Sequence, residues 1–289
     1  MNKFYIHVQN FLTTTTIKPY QMFHFFWFFV FVAMGAALIA VFKKPKAFTI
    51  KAVILTFWVG LVILEILKQI YAAGREFKNY HDAHYLHPIQ LCSMPLISML
   101  VYVVVPSKFK RTSNGILSYV GILNLWSGLF VMLYPGDVFT NQLFISFQTM
   151  LYHGILLTTG LWIVVRNLYS DEFSYKTSWK PLVFAIAIFM GFFLFATFSN
   201  EIIYWANKKS SKPYHGNFFN VSHRLLSPYT GAVPALKKTP YGVFTFLYVI
   251  ITIFGFSLFY YTNFSIGYGL NKLENHIVNK KKLVKEANN

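Results

Sequence analysis

The chain has 289 residues, of which 55% are hydrophobic and only 12% charged, against about 25% charged in soluble domains. That composition excludes an ordinary water-soluble domain and points to a polytopic membrane protein. The formal net charge of +17 is no argument for nucleic-acid binding, because the lysines and arginines lie almost entirely in connections between apolar spans, where membrane topology places them.

Seven segments are long and apolar enough to meet a hydrocarbon core of about 30 Å. In chain order they are residues 20–42, 52–73, 88–106, 113–134, 143–165, 181–206 and 242–265. The leading stretch MNKFYIHVQNFLTTTTIKPY lacks the compact apolar run of a removable signal, so the first segment is expected to stay as a helix. The longest polar connection, about 207–241, holds Gly, Pro and Asn rather than a packable core. The expected fold class is therefore all-α: one transmembrane helical domain over residues 1–289, with a short basic tail from about 266. That tail, NKLENHIVNKKKLVKEANN, reads as a solvated segment or as a short basic helix against anionic headgroups. The connections at 43–51, 107–112 and 166–180, together with the tail, carry more lysine and arginine than the opposite side. This predicts a multi-pass plasma-membrane protein with its N-terminus outside and its C-terminus inside.

Polar side chains inside apolar spans each cost about 2.5–3.5 kcal/mol at mid-helix and need a partner or a purpose. The second segment carries Glu65 and Lys68, three residues apart on one helical face, where they can pair. The fifth carries Gln148, Thr149 and His153, and the four-residue spacing lets the Thr149 hydroxyl orient the imidazole. Asn200 and Glu201 fall near the end of the sixth segment, and Asn124, Ser127 and Gly128 in the fourth suit close helix packing. Before the third segment, HDAHYLHP places His81, His84 and His87 at three-residue spacing. On a helix those rings would spread over about 120° of arc, so a hydrated surface loop is expected there and no metal or other cofactor. His223 and Arg224 lie in the 207–241 connection on the same predicted side and suit a phosphate or carboxylate headgroup.

The single cysteine stands in HPIQLCSMP, residues 87–95. Pro88 fits the first turn of a helix, which puts Cys92 about one turn into the third segment. Helix N-terminal amides and a nearby histidine favour the thiolate, the form a nucleophile uses. With no second cysteine, an intramolecular disulfide and a thiolate-built zinc site are both excluded. A lone cysteine in a span is also an ordinary small apolar residue, and both readings stand on the residues alone.

The succession HPIQLCSMP, YVGILNLWSGLFVMLYPGD and FQTMLYHGILL resembles the YwaF-like integral membrane family, related to vertebrate transmembrane protein 164, over about residues 85–160. The resemblance implies a cysteine acyltransferase acting on phospholipid acyl chains, with Cys92 as nucleophile and His153 as base. Gln90 stands where family members often carry a histidine. Gln90, Ser93 and Thr149 would then supply oxyanion donors or support, with His87 as a second candidate base. His223, Arg224, Asn200 and Glu201 would face substrate. The implied partners are the bilayer and a phospholipid or lipoprotein acyl donor and acceptor. By helix rise, Cys92 lies about 6 Å below its entrance and His153 about 15 Å below its own, a mismatch of about 9 Å. The rival expectations are a transporter or lipid-binding protein with Glu65, Lys68, His153 and Glu201 along a polar pathway, and a metal-dependent hydrolase built on the three loop histidines.

Overall fold

A computed structural model of the chain describes residues 18, 20–73, 90–135, 143–170, 179–209, 218–221, 236 and 238–287. Among these residues there are seven α-helices and no strand. The helices are α1 (Met22–Val41), α2 (Ala47–Ala73), α3 (Met94–Val104), α4 (Lys110–Leu133), α5 (Leu143–Val165), α6 (Trp179–Asn207) and α7 (Tyr241–Ala287). Single 3-10 turns occupy Leu91–Ser93 and Phe218–Asn220. Six helices are long and apolar enough to cross a membrane, and α3 is the short one. The chain is a polytopic membrane bundle, as its composition predicts.

Two helices form the centre. The apolar windows of α4 and α5 are each 78% buried, whereas those of α1, α2, α6 and α7 are 17–28% buried. Lipid tails supply no hydrophobic drive between helices, so close packing and interhelical hydrogen bonds must hold them. Glycine makes the α4–α5 contact possible: a Cβ on Gly160 would lie 2.3 Å from the Leu125 amide nitrogen, and one on Gly128 2.5 Å from that of Leu157. Beside the Gly160 crossing Asn124 donates to the Thr159 hydroxyl at 2.9 Å. The outer helices present Phe29, Phe195, Phe198 and Trp205 outward, where lipid is their solvent.

Successive helices alternate in direction. Along the antiparallel α2–α3 pair, Lys51 donates to the carbonyls of Val103 and Val105, and the Trp58 indole donates to Leu96 at 2.7 Å. The N-terminal ends of α1, α3, α5 and α7 therefore share one face of the bundle, called the upper end below. There the Tyr20 hydroxyl donates to the Leu133 carbonyl at 3.0 Å, tying the start of α1 to the end of α4. Helix α7 is 47 residues long, about 70 Å at 1.5 Å per residue. It exceeds the bilayer core and continues as helix through the basic tail, where an end near 265 is expected from the sequence.

Candidate active site

The approach to the site is set by Pro95. In a regular α-helix residue 95 would donate to the carbonyl of Leu91, and proline has no N–H to do so. The Leu91 carbonyl is taken instead by the Met94 amide, and the Gln90 carbonyl by the Ser93 amide at 2.9 Å. The result is a tight 3-10 turn over Leu91–Ser93 that feeds into α3, with Ser93 as the cap residue of the α-helix. Cys92 thus sits at the mouth of the helix, on the turn, and not one turn inside it. Pro95, not Pro88, is the first-turn proline of the α-helix. Cys92 is half-buried and its own backbone N–H faces the thiol.

His153 lies in the middle of α5 and is 6% exposed. Its Nδ1 is 2.9 Å from the Thr149 carbonyl. A carbonyl only accepts, so Nδ1 carries the proton and Nε2 is left with its lone pair. That Nε2 is buried and makes no hydrogen bond. The sequence reading gave the orienting role to the Thr149 hydroxyl. The main-chain carbonyl performs it instead, while the hydroxyl turns toward Gln148 at 3.5 Å. Gly154 next to the imidazole gives its space to Phe31 of α1, whose ring a Cβ would meet at 2.0 Å.

Asn124 measures the relative height of thiol and imidazole. Its amide group reaches the Met99 sulfur on α3 at 3.6 Å and the Thr159 hydroxyl on α5 at 2.9 Å, so Met99 and Thr159 share a level. Cys92 is seven residues above Met99 and His153 six above Thr159, in helices that run the same way. By helix rise these are about 11 and about 9 Å, a difference of about 2 Å. The 9 Å offset expected from segment boundaries is thus largely removed by the register.

Around this level α2 contributes a closed ion pair. The Lys68 ammonium is 2.7 Å from Glu65 Oε2, both side chains are largely buried, and Gln69 donates to Glu65 Oε1 at 2.7 Å. Lys68 is within electrostatic reach of both Cys92 and His153, and Glu65 of Cys92 and Tyr152. Ser93 is buried, and its hydroxyl faces the Cys92 thiol and the Tyr152 hydroxyl. Cys92, Ser93, Tyr152, His153, Glu65 and Lys68 therefore form one cluster at the upper end. The imidazole does not hydrogen-bond the thiol in this state; such contacts often close only in the reacting complex.

A family model, described as the TMEM164 family, matches residues 18–260. The chain belongs to the TMEM164 family. The match runs from the first helix into α7 and so takes in the entire Cys92–His153 cluster, well beyond the stretch about 85–160 that carried the resemblance in the sequence. No curated protein and no solved structure matches the chain.

The remaining sequence candidates separate. Gln90 is half-buried and starts the 3-10 turn beside Cys92. Asn200 is committed elsewhere: its amide donates to the Phe218 carbonyl at 3.1 Å and its carbonyl oxygen accepts from the Phe218 amide at 2.8 Å. This clamp, with the Tyr248 hydroxyl donating to the Phe219 carbonyl at 2.7 Å, holds a buried turn in which Phe219 has a φ of 57°. Glu201 follows on α6 and is half-buried. His81, His84, His87, His223 and Arg224 lie outside the described residues. Tyr152 is the residue that sequence reading passes over, because a tyrosine in an apolar span resembles ordinary core filling; its only signal was its place beside His153.

Proposed function

We propose that the protein is a membrane-embedded lipid acyltransferase that works through a thioester on Cys92. The observation that carries this reading is the buried His153 Nε2, held as a free base by the Thr149 carbonyl at the height of the only thiol in the chain. His153 takes the thiol proton as the sulfur attacks the ester carbonyl of a phospholipid, and returns it to the departing glycerol oxygen. A second alcohol or amine, on a lysolipid or a lipoprotein, then takes the acyl group from sulfur by the reverse proton path. Lys68 supplies positive charge near the thiolate, and Glu65 holds that ammonium in place.

With the N-terminus outside a plasma membrane, the upper end opens to the outer leaflet, and acyl chains reach the thiol from there. His223 and Arg224 remain our choice for the headgroup, and His87 for an additional base. The closed Glu65–Lys68 pair argues against the transport alternative, since a polar pathway built on those residues needs its charges free for cargo.

The test is acyl exchange in vesicles containing a deuterated-chain phosphatidylcholine and a lysophosphatidylethanolamine, read by lipid mass spectrometry. The wild-type chain is expected to move label to the lysolipid and Cys92→Ser to move none. Equal transfer by both would rule out a cysteine enzyme, and lipid movement without acyl exchange would favour the transporter.

A further inference from the structure

One buried group at the site has no part in the proton path just described. Tyr152 is 3% exposed, lies one residue before His153 on α5, and its hydroxyl oxygen completes no hydrogen bond. It is seven residues above Thr159, as Cys92 is seven above Met99, so thiol and phenol stand at one level of the bundle. Across from it the buried Ser93 hydroxyl faces both groups. Shut away from water with only the Ser93 hydroxyl before it and no completed bond, the phenol is satisfied when a ligand oxygen accepts its proton.

We propose that the Tyr152 and Ser93 hydroxyls form the oxyanion site of the reaction, donating to the ester carbonyl oxygen of the acyl chain as Cys92 attacks. The proposal rests on the acyl-transfer reading and adds a catalytic residue to it. In the step itself the sulfur–carbon bond forms and the carbonyl π pair moves onto oxygen, where the two hydroxyls meet it. Collapse restores the carbonyl and breaks the carbon–oxygen bond to the leaving alcohol, which takes the proton held by His153. The phenol and the serine hydroxyl keep their protons throughout, so no further reactant is needed. Donors fixed before reaction, in a site without water, contribute most where charge develops.

The chemistry offers a test in which a structural role and an oxyanion role diverge. Acylation by an activated ester passes through a tetrahedral oxyanion, whereas alkylation by iodoacetamide displaces iodide at a saturated carbon and forms none. Detergent-purified full-length chain is treated with p-nitrophenyl decanoate or with iodoacetamide, and modification of Cys92 is followed by intact mass. For Tyr152→Phe the expected result is acylation slowed about 10²- to 10³-fold with alkylation within about twofold of wild type. Equal acylation of wild type and variant overturns the proposal, as does a parallel loss of both reactions. If Tyr152→Phe does not fold, Ser93→Ala must show the same split, and failure to do so overturns the proposal equally. A wild-type thiol that alkylates but never acylates would sink the acyl-transfer reading itself.

Discussion

Helix α5 carries two polar clusters about 20 Å apart along its axis, and they are finished in opposite ways. At its foot Arg166 is paired at all three nitrogens: Nε donates to the Ile39 carbonyl at 2.7 Å, and Nη1 and Nη2 to the two Glu274 oxygens at 3.2 and 3.0 Å. Lys43 adds a second cation to Glu274 at 3.2 Å. That cluster ties α1, α5 and α7 together through paired charges. In the upper cluster the ion pair of α2 is closed, but His153 Nε2 is buried without a partner and the buried Tyr152 hydroxyl, facing only that of Ser93, completes no hydrogen bond. Native interiors rarely leave such groups unpaired, and on the acyl-transfer reading proposed above this is the difference between a structural tie and a reactive site.

The largest effect is expected at the thiol. Cys92→Ser is expected to abolish thioester formation while changing stability by about 1 kcal/mol or less; a matched pair of mass-spectrometric and thermal-unfolding measurements shows whether the two separate. His153→Ala should follow, with acylation of Cys92 slowed about 10²- to 10⁴-fold in stopped-time mass measurements, and a rate near wild type would remove the base from the account. At the other end Arg166→Met should leave Cys92 acylation unchanged in folded protein and lower stability by about 3 kcal/mol, the lower part of the range because Glu274 keeps some solvent. A coincident loss of acylation at temperatures where the variant is folded would show that the two clusters are not separable. The smallest effect is expected between them: Thr159→Val removes the acceptor of the Asn124 bond and should cost about 0.6 kcal/mol, visible as a small drop in unfolding temperature.

Much of this fold is legible in the sequence, and particular residues show where legibility stops. Apolar spans of about 20 residues announce themselves, and the expected 143–165 segment coincides with α5. The α-helical part of the third segment starts only at Met94 because Pro95 leaves Leu91–Ser93 in a 3-10 turn, an effect of one missing N–H that hydropathy does not register. The last helix runs to Ala287 because charge ends a hydropathic segment without ending a helix. Glu65 and Lys68 pair as their spacing predicts, since that bond is local. Arg166 and Glu274 are 108 positions apart, and no spacing rule connects them. Cys92 and His153 were named from a motif resemblance, yet their common height depends on the register of three helices through Asn124, which only the packed bundle supplies. Asn200 looked like a binding residue because it is polar near a helix end; its clamp on Phe218 requires the chain to fold back eighteen residues later.

A thioester on Cys92 is read directly by intact-protein mass spectrometry of the full chain after incubation with phospholipid, wild type beside Cys92→Ser, before and after neutral hydroxylamine. The expected result is an acyl-sized adduct on wild type alone, removed by hydroxylamine as a thioester should be. A wild-type chain that stays unmodified while exchanging acyl groups between lipids would contradict it, and Cys92 would then be an ordinary residue at the mouth of α3.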